Sequence, residues 1–246
     1  MVSILIPVYN ERNTIERVLA RVRQVPLEKE IVVVDDGSTD GTREYLGGLS
    51  ELGLKVILHP RNRGKGAALR TALAAAAGEV VIVQDADLEY MPEEIPAVVG
   101  PILRGEAEVV YGSRFKGDWT GMKPLYRAAN WFFAAFSNLL LGTRISDEAT
   151  CYKALRTDLL LSLDLQCEGF EFCPEVTAKV ARLNKRIQEV PITYRGRTFA
   201  EGKKIGWRQG FQVLWTLLRW RFARWSPRAP EAGETPNGLS DPEGTG

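Results

Sequence analysis

Histidine and cysteine are nearly absent: the 246-residue chain holds one histidine and three cysteines. Cys151, Cys167 and Cys173 are odd in number and form no CxxC pair. That excludes a disulfide-stapled scaffold and argues against structural zinc, leaving them as small apolar residues of a reducing compartment. The single histidine, His59, precedes Pro60 with no partner pattern around it, and reads as a surface or packing residue rather than a catalytic one. Long uninterrupted apolar runs are missing too. Nothing approaches the roughly 20 apolar residues of a membrane span. The opening Met1-Val2-Ser3-Ile4-Leu5-Ile6-Pro7 lacks the basic n-region of a signal peptide. A multi-spanning transporter and a secreted disulfide scaffold are therefore excluded.

What is present is an ordinary core: 45% hydrophobic residues, including six Trp, nine Phe and seven Tyr, with 26% charged. The length suits one domain with a short appendage and is too short for two large ones. The net charge of +1 is unevenly placed. Residues 226–246 hold four Pro, four Gly, four acids and a single Arg, a net −3 that leaves +4 on residues 1–225. Such a tail buries too little apolar surface to offset its ordering entropy and reads as disordered. Residues 195–225, by contrast, carry eight Arg or Lys against the lone acid Glu201. A basic segment of this kind wants a polyanion: phosphate, lipid headgroup or nucleic acid.

Short β-branched runs at 2–7, 30–34, 55–58, 79–83 and 108–111 predict five buried strands. Helices are predicted between them at 13–23, 40–49, 64–77 and 92–103, with Pro92 in a first turn and Ser38 or Thr39 as an N-cap. Near-continuous Val and Ile in the strands say that both sheet faces are covered, so the sheet is mostly parallel, with right-handed crossovers. In such sheets ligands sit outside the carboxyl ends of the strands. There the sequence is polar and acidic: Pro7-Val8-Tyr9-Asn10-Glu11, Asp35-Asp36-Gly37-Ser38, and Asp85-Ala86-Asp87-Leu88-Glu89.

If the stretch after the fourth strand stays extended, Asp85 and Asp87 point the same way and can approach one cation, with Glu89 a third oxygen ligand. Asp36 is placed to accept from a nucleobase while Gly37 turns the chain. Rival nucleotide motifs fail. In Gly64-Lys65-Gly66-Ala67-Ala68-Leu69, Leu69 stands where a dinucleotide fingerprint needs its third glycine, and no Ser or Thr follows Lys65 as a Walker loop requires. Gly64–Gly66 then reads as a flexible helix start.

IPVYNE, VVDDGSTDGT, NRGKGAALR, DADLE and YGSR, in this order over residues 4–114, resemble the family 2 glycosyltransferases. DEATCYK (147–153), GFEFCPEVTAKVAR (169–182) and VPITYRGRTFAEGKKIGW (190–207) are similar to the polyprenyl-phosphate sugar synthases, the dolichol-phosphate mannose synthase group. The resemblance implies a glycosyltransferase A-type α/β fold. It implies that Pro7, Tyr9, Glu11, Val34 and Asp36 hold the nucleoside, and that Asp85, Ala86 and Asp87 form the donor- and metal-binding motif. Glu89 stands where mannosyl members commonly carry Gln. Arg114, Arg197 and Lys203 match phosphate-binding positions and, with Asp87, the catalytic set. Arg127 is placed as an acceptor-phosphate contact, in a loop that departs from the family's pattern.

Two segments point to a membrane surface. In 207–225, Trp207, Phe211, Leu214, Leu218, Phe222 and Trp225 form one stripe at helical spacing, with Trp215 beside it and Arg208, Gln212, Thr216 and Arg219 opposite. Such a Trp/Arg helix lies in an interface rather than spanning it. The nearly apolar 125–141 is a second interface helix or a core helix, and the resemblance places interface helices in both positions. Residues 1–206 are thus read as the catalytic domain, 207–225 as a membrane-interface helix and 226–246 as the tail.

The expected activity is inverting transfer of a hexose, mannose or glucose, from GDP-mannose or UDP-glucose to a polyprenyl phosphate, with Mg²⁺ or Mn²⁺. It is expected at the cytoplasmic face of a membrane, peripherally and without nucleic acid. Two alternatives stand beside it: transfer to a sugar hydroxyl with Asp147 or Glu148 as base (otherwise a helix N-cap), and a catalytically silent membrane-binding module.

Overall fold

The computed structural model describes residues 1–122, 124–196 and 207–228, without the side chains of 207–209. Its chain runs β1 (Val2–Val8), α1 (Ile15–Gln24), β2 (Lys29–Asp35), α2 (Thr42–Gly47), β3 (Leu54–Leu58), α3 (Lys65–Ala74) and β4 (Val80–Val83). A 3₁₀ turn at Pro92–Glu94 leads into α4 (Ile95–Leu103) and β5 (Val109–Ser113). Then follow β6 (Trp119–Thr120), α5 (Pro124–Leu141), β7 (Lys153–Arg156), α6 (Thr157–Ser162), α7 (Phe172–Arg182), β8 (Ile187–Pro191), β9 (Tyr194–Arg195) and α8 (Trp207–Phe222).

The seven-stranded sheet has the order β3-β2-β1-β4-β7-β5-β8. All neighbours are parallel except β7, which runs antiparallel to both β4 and β5. All five predicted strands are present. β7 and β8, which the β-branched runs did not announce, complete the sheet. One apolar layer packs α1 and α4 on one face, through Val18, Leu19, Val22, Val98 and Val99. The other packs α3, α6 and α7, through Ala68, Leu69, Leu160, Val176 and Val180. Covering both faces is what the unbroken Val/Ile runs require. The strand order reverses between β1 and β4, so the ligand crevice opens at their carboxyl ends.

Two local expectations are corrected. Ser38 and Thr39 do not cap α2, which begins at Thr42 behind Gly41 in the left-handed region. Ser38 Oγ instead accepts the Asn10 amide at 2.9 Å and the Thr39 amide donates to Asn10 Oδ1 at 2.8 Å, tying the loops after β1 and β2 together. The start of α3 is not flexible. Gly64 has φ +96°, a Cβ on it would meet the Glu168 carbonyl oxygen at 2.2 Å, and one on Gly66 would meet Cys167 at 2.9 Å. Glycine stands there because the helix start presses against 167–169.

α8 packs on α7 and α5. Its inward side is Thr216, Leu217 and Trp220. Arg182 donates to the carbonyls of Trp220 and Ala223 at 2.8 Å, holding the end of the helix to α7. Thr216 thus belongs to the buried side rather than the polar one. Trp225 leaves the stripe as well, because the helix ends at Phe222 and its indole N–H donates to the Leu163 carbonyl at 3.2 Å. Of the rest of the stripe, Phe211, Leu218 and Phe222 are exposed and Leu214 is partly so. Phe211, Trp215 and Phe222 on α8, and Leu125, Trp131 and Leu139 on α5, are each two thirds or more exposed. No described helix is long and apolar enough to cross a membrane. Arg197 and Lys203 lie outside the described residues, as does 229–246 of the tail.

Candidate active site

Four loops meet at the carboxyl edge of β1–β4. After β2, Gly37 takes φ +75°, and a Cβ there would meet the Arg61 carbonyl carbon at 2.5 Å, so the loop after β3 presses directly on it. Asp36 is buried and fastens that loop: Oδ1 accepts the Arg63 amide at 2.9 Å and Oδ2 the Gly64 amide at 2.7 Å. The next residue, Lys65, reaches across to the loop after β4 and donates to Asp85 Oδ1 at 2.6 Å. Asp36 and Asp85 therefore share one crevice, joined through two consecutive residues. Burial works against the Lys65 charge, but Asp85 and Cys151 outweigh it and the ammonium stays well above its ordinary pKa.

Pro7 and Val34 lie paired across β1 and β2 at this edge, followed by Tyr9 and Glu11. Glu11 is fixed locally: its amide donates to Thr42 Oγ1 at 3.1 Å and its carboxylate accepts the Thr14 hydroxyl at 2.9 Å. Ala86 is buried beneath the acidic loop.

That loop is not extended, because β4 ends at Val83 and 86–89 turns, with Leu88 at φ +62°. The alternation argument for Asp85 and Asp87 thus fails. Asp85 takes Lys65, whereas Asp87 Oδ1 accepts the Glu89 amide at 3.1 Å. Glu89 Oε2 accepts the Tyr194 hydroxyl at 2.7 Å, and its carbonyl accepts the Arg195 amide at 2.9 Å. No group of three metal-ligating side chains is assembled among the described residues. Asp87 and Glu89 nevertheless suit Mg²⁺ or Mn²⁺: both are half-buried carboxylates on one tight turn, and magnesium usually takes one or two carboxylates with substrate phosphates and water. Asp85, already paired with an ammonium, is the least suited of the three.

Arg114 is buried, and its guanidinium forks onto Asp147, Nε to Oδ2 and Nη2 to Oδ1, both at 2.7 Å. Burial disfavours the charge, yet Asp147 holds the Arg114 pKa well up. Its flat face lies 5.0 Å from the centre of the Tyr194 ring, the ring that holds Glu89. Arg114 thus reaches the acidic loop through Tyr194. Arg127, exposed at the start of α5, stacks 4.3 Å over Trp119 on β6, the strand paired with β9.

The reading of the 147–148 pair as a helix cap does not hold. No helix follows Asp147, which is committed to Arg114. Glu148 is fully buried against Lys153 and Thr177, and burial pushes its pKa up.

Sequence reasoning missed three residues. Lys65 sat in a quoted motif without a role. Cys151 is more than an apolar filler, since its sulfur accepts from Lys65 at 3.0 Å. His59 is buried with both ring nitrogens engaged, Nδ1 on Asp36 Oδ1 at 2.8 Å and Nε2 on Thr71 Oγ1 at 3.0 Å. The spacing Asp36/His59/Thr71 follows no local motif, so only the β2-β3-α3 register brings them together.

A mostly parallel sheet with an acidic turn at the switch point is the architecture of the nucleotide-sugar glycosyltransferases of the glycosyltransferase A type. The family model for glycosyl transferase family 2 matches residues 3–163, and the chain belongs to that family; it is a glycosyltransferase. It is 31% identical over 233 residues to an undecaprenyl-phosphate mannosyltransferase of Micrococcus luteus, covering 90% of this chain and 94% of that one. It is 32% identical to a dolichol-phosphate mannosyltransferase of Pyrococcus furiosus, over 89% of this chain but 64% of the relative. Among solved structures, the glucosyl-3-phosphoglycerate synthase of Mycobacterium tuberculosis, in complex with Mn²⁺, UDP and phosphoglyceric acid, is similar with a TM-score of 0.69. The identity is 26%, covering 90% of this chain and 78% of that one.

Proposed function

We propose that this glycosyltransferase moves a hexosyl group from a nucleotide sugar to a polyprenyl phosphate at a membrane surface, with inversion at the anomeric carbon. One observation carries the reading. The acidic turn 85–89 is bonded through Glu89 to Tyr194 and Arg195 of β9, and the paired strand β6 carries Trp119 under Arg127 of α5, which with α8 bears the exposed large apolar side chains named above. This supports a donor site and a lipid-facing surface sharing one framework. Relatives named for undecaprenyl, dolichol and dodecaprenyl phosphates support the acceptor class.

A phosphate monoester with a second pKa near about 6 is mostly a dianion at neutral pH, so it attacks without a general base. The buried, paired Asp147 and Glu148 fit that economy and not a hydroxyl acceptor. Asp87 and Glu89 would hold the divalent ion, which supplies Lewis-acid stabilisation of the leaving diphosphate. Asp36, with Pro7, Tyr9, Glu11 and Val34, would seat the nucleoside. The Lys65–Asp85 pair would face the sugar and its phosphates. Arg127 would meet the acceptor phosphate, with Arg197 and Lys203 assigned phosphate charge on the motif match alone.

A panel of radiolabelled nucleotide sugars with a short polyprenyl phosphate, with and without Mg²⁺, tests the reaction. Metal-dependent label in the lipid fraction is expected; transfer only to free sugar hydroxyls would end the reading. The surface has its own test. Replacing Phe211, Trp215 and Phe222 together by serine removes three exposed aromatics whose burial is worth about 1.5–3 kcal/mol each at most. Binding to vesicles of anionic phospholipid should weaken at least about tenfold on that scale, with turnover of a soluble short-chain acceptor kept.

A further inference from the structure

Two of the three cysteines meet beside the acidic turn. Cys151 and Cys173 are partly exposed, and Cys173 Sγ donates at 3.4 Å to the carbonyl of Thr150, the peptide group that leads into Cys151. A hydrogen bond from Cys151 also reaches Cys173. It lowers the Cys173 pKa against the cost of burial, helped by the Lys153 and Lys65 ammonium groups, and raises that of Cys151. A thiol so placed is the reactive kind, whereas Cys167 is buried and burial pushes its pKa up. Cys151 in turn is tied to both ends of the acidic turn. Its sulfur accepts from Lys65 at 3.0 Å, the ammonium that holds Asp85. Its amide donates to the Tyr90 hydroxyl at 3.1 Å, and Tyr90 directly follows Glu89.

We infer that Cys151 and Cys173 form a modification site, a dithiol that a hydroperoxide closes to a disulfide, and that closure loosens the hold on the acidic turn. The Cys173 sulfur attacks one oxygen of hydrogen peroxide; the O–O bond breaks, a first water leaves and Cys173 becomes a sulfenic acid. The Cys151 sulfur then attacks that sulfur, the S–O bond breaks and a second water leaves. Two thiols thus lose two protons and two electrons to the peroxide, and a thiol reductant reverses the bond. Bonded sulfurs sit about 2.0 Å apart, well inside hydrogen-bond separation, so the Cys151 sulfur is drawn from Lys65 toward Cys173. The thiol chemistry stands alone; its effect on donor binding rests on the function proposed above.

The test is treatment of the full chain with hydrogen peroxide, followed by mass spectrometry and by calorimetric titration with UDP and with GDP, each with Mg²⁺. A loss of about 2 Da is expected, with Cys151 and Cys173 in one cross-linked peptide, Cys167 still open to alkylation by iodoacetamide, and reversal by dithiothreitol. Affinity for whichever nucleotide the reduced chain binds should fall about two- to tenfold on closure, the scale of one lost hydrogen bond, and return on reduction. Cys173→Ser should form no bond and bind nucleotide alike with and without peroxide. Thiols that stay intact, a bond to Cys167, or oxidation of Cys151 and Cys173 without a link overturns the site. A closed bond with unchanged affinity overturns its coupling to the acidic turn. Binding of neither nucleotide by the reduced chain overturns that coupling together with the nucleotide-sugar reading, while the mass still decides the bond. Should Cys173→Ser not fold, the unaltered chain decides both points.

Discussion

Asp87→Ala is expected to lower turnover by at least about 10²-fold while leaving the fold intact, the loss typical of removing one element of preorganised charge stabilisation. Asp87 sits half-exposed on a turn, and the bond it accepts from the Glu89 amide is of the kind water replaces at little cost. The melting temperature should therefore hardly move. The activity loss should come with loss of the Mg²⁺ dependence of nucleotide binding, because in the proposed mechanism the carboxylate would hold the ion against the donor phosphates. Asp85→Ala should behave differently. It strands the Lys65 ammonium beside Cys151 instead of emptying a metal position, so Mg²⁺-dependent binding should survive in part. Titrating Mg²⁺ against nucleotide affinity in the two variants separates them. Near-normal turnover by Asp87→Ala would take that residue out of the mechanism.

The sheet was readable because its signal is local. Five runs such as Ile31-Val32-Val33-Val34 are long and β-branched enough to declare themselves, and each is where expected to within two residues. β7 was hidden because Lys153-Ala154-Leu155-Arg156 carries a lysine that is buried only by pairing with Glu148, a contact invisible in the pattern. The acidic loops were legible as acids at strand ends. Their partners were not, since Lys65, His59 and Asp147 meet Asp85, Asp36 and Arg114 across 20, 23 and 33 residues of chain. The outward stripe of α8 was correct at Phe211, Leu218 and Phe222. It failed at Trp225, where the helix had already ended and the ring turned in to the Leu163 carbonyl.

The largest loss of stability is expected from Asp147→Ala. The carboxylate is fully buried and takes three donors from Arg114, its amide at 3.0 Å and both arms of the fork. Removing it leaves a guanidinium out of water with no counter-charge, and breaking a buried pair from one side costs about 3–5 kcal/mol. For a chain of this size that is a fall of about 6–20 °C in melting temperature. Replacing both partners by apolar residues of similar bulk, Arg114→Met with Asp147→Leu, removes the stranded charge and should recover much of the loss. Turnover should not return with it, since the cation stacked on Tyr194, and through it the seat of Glu89, is gone. Thermal melts and lipid-transfer assays on the three proteins measure both quantities. A double variant that regains activity along with stability would show that Arg114 serves the fold alone.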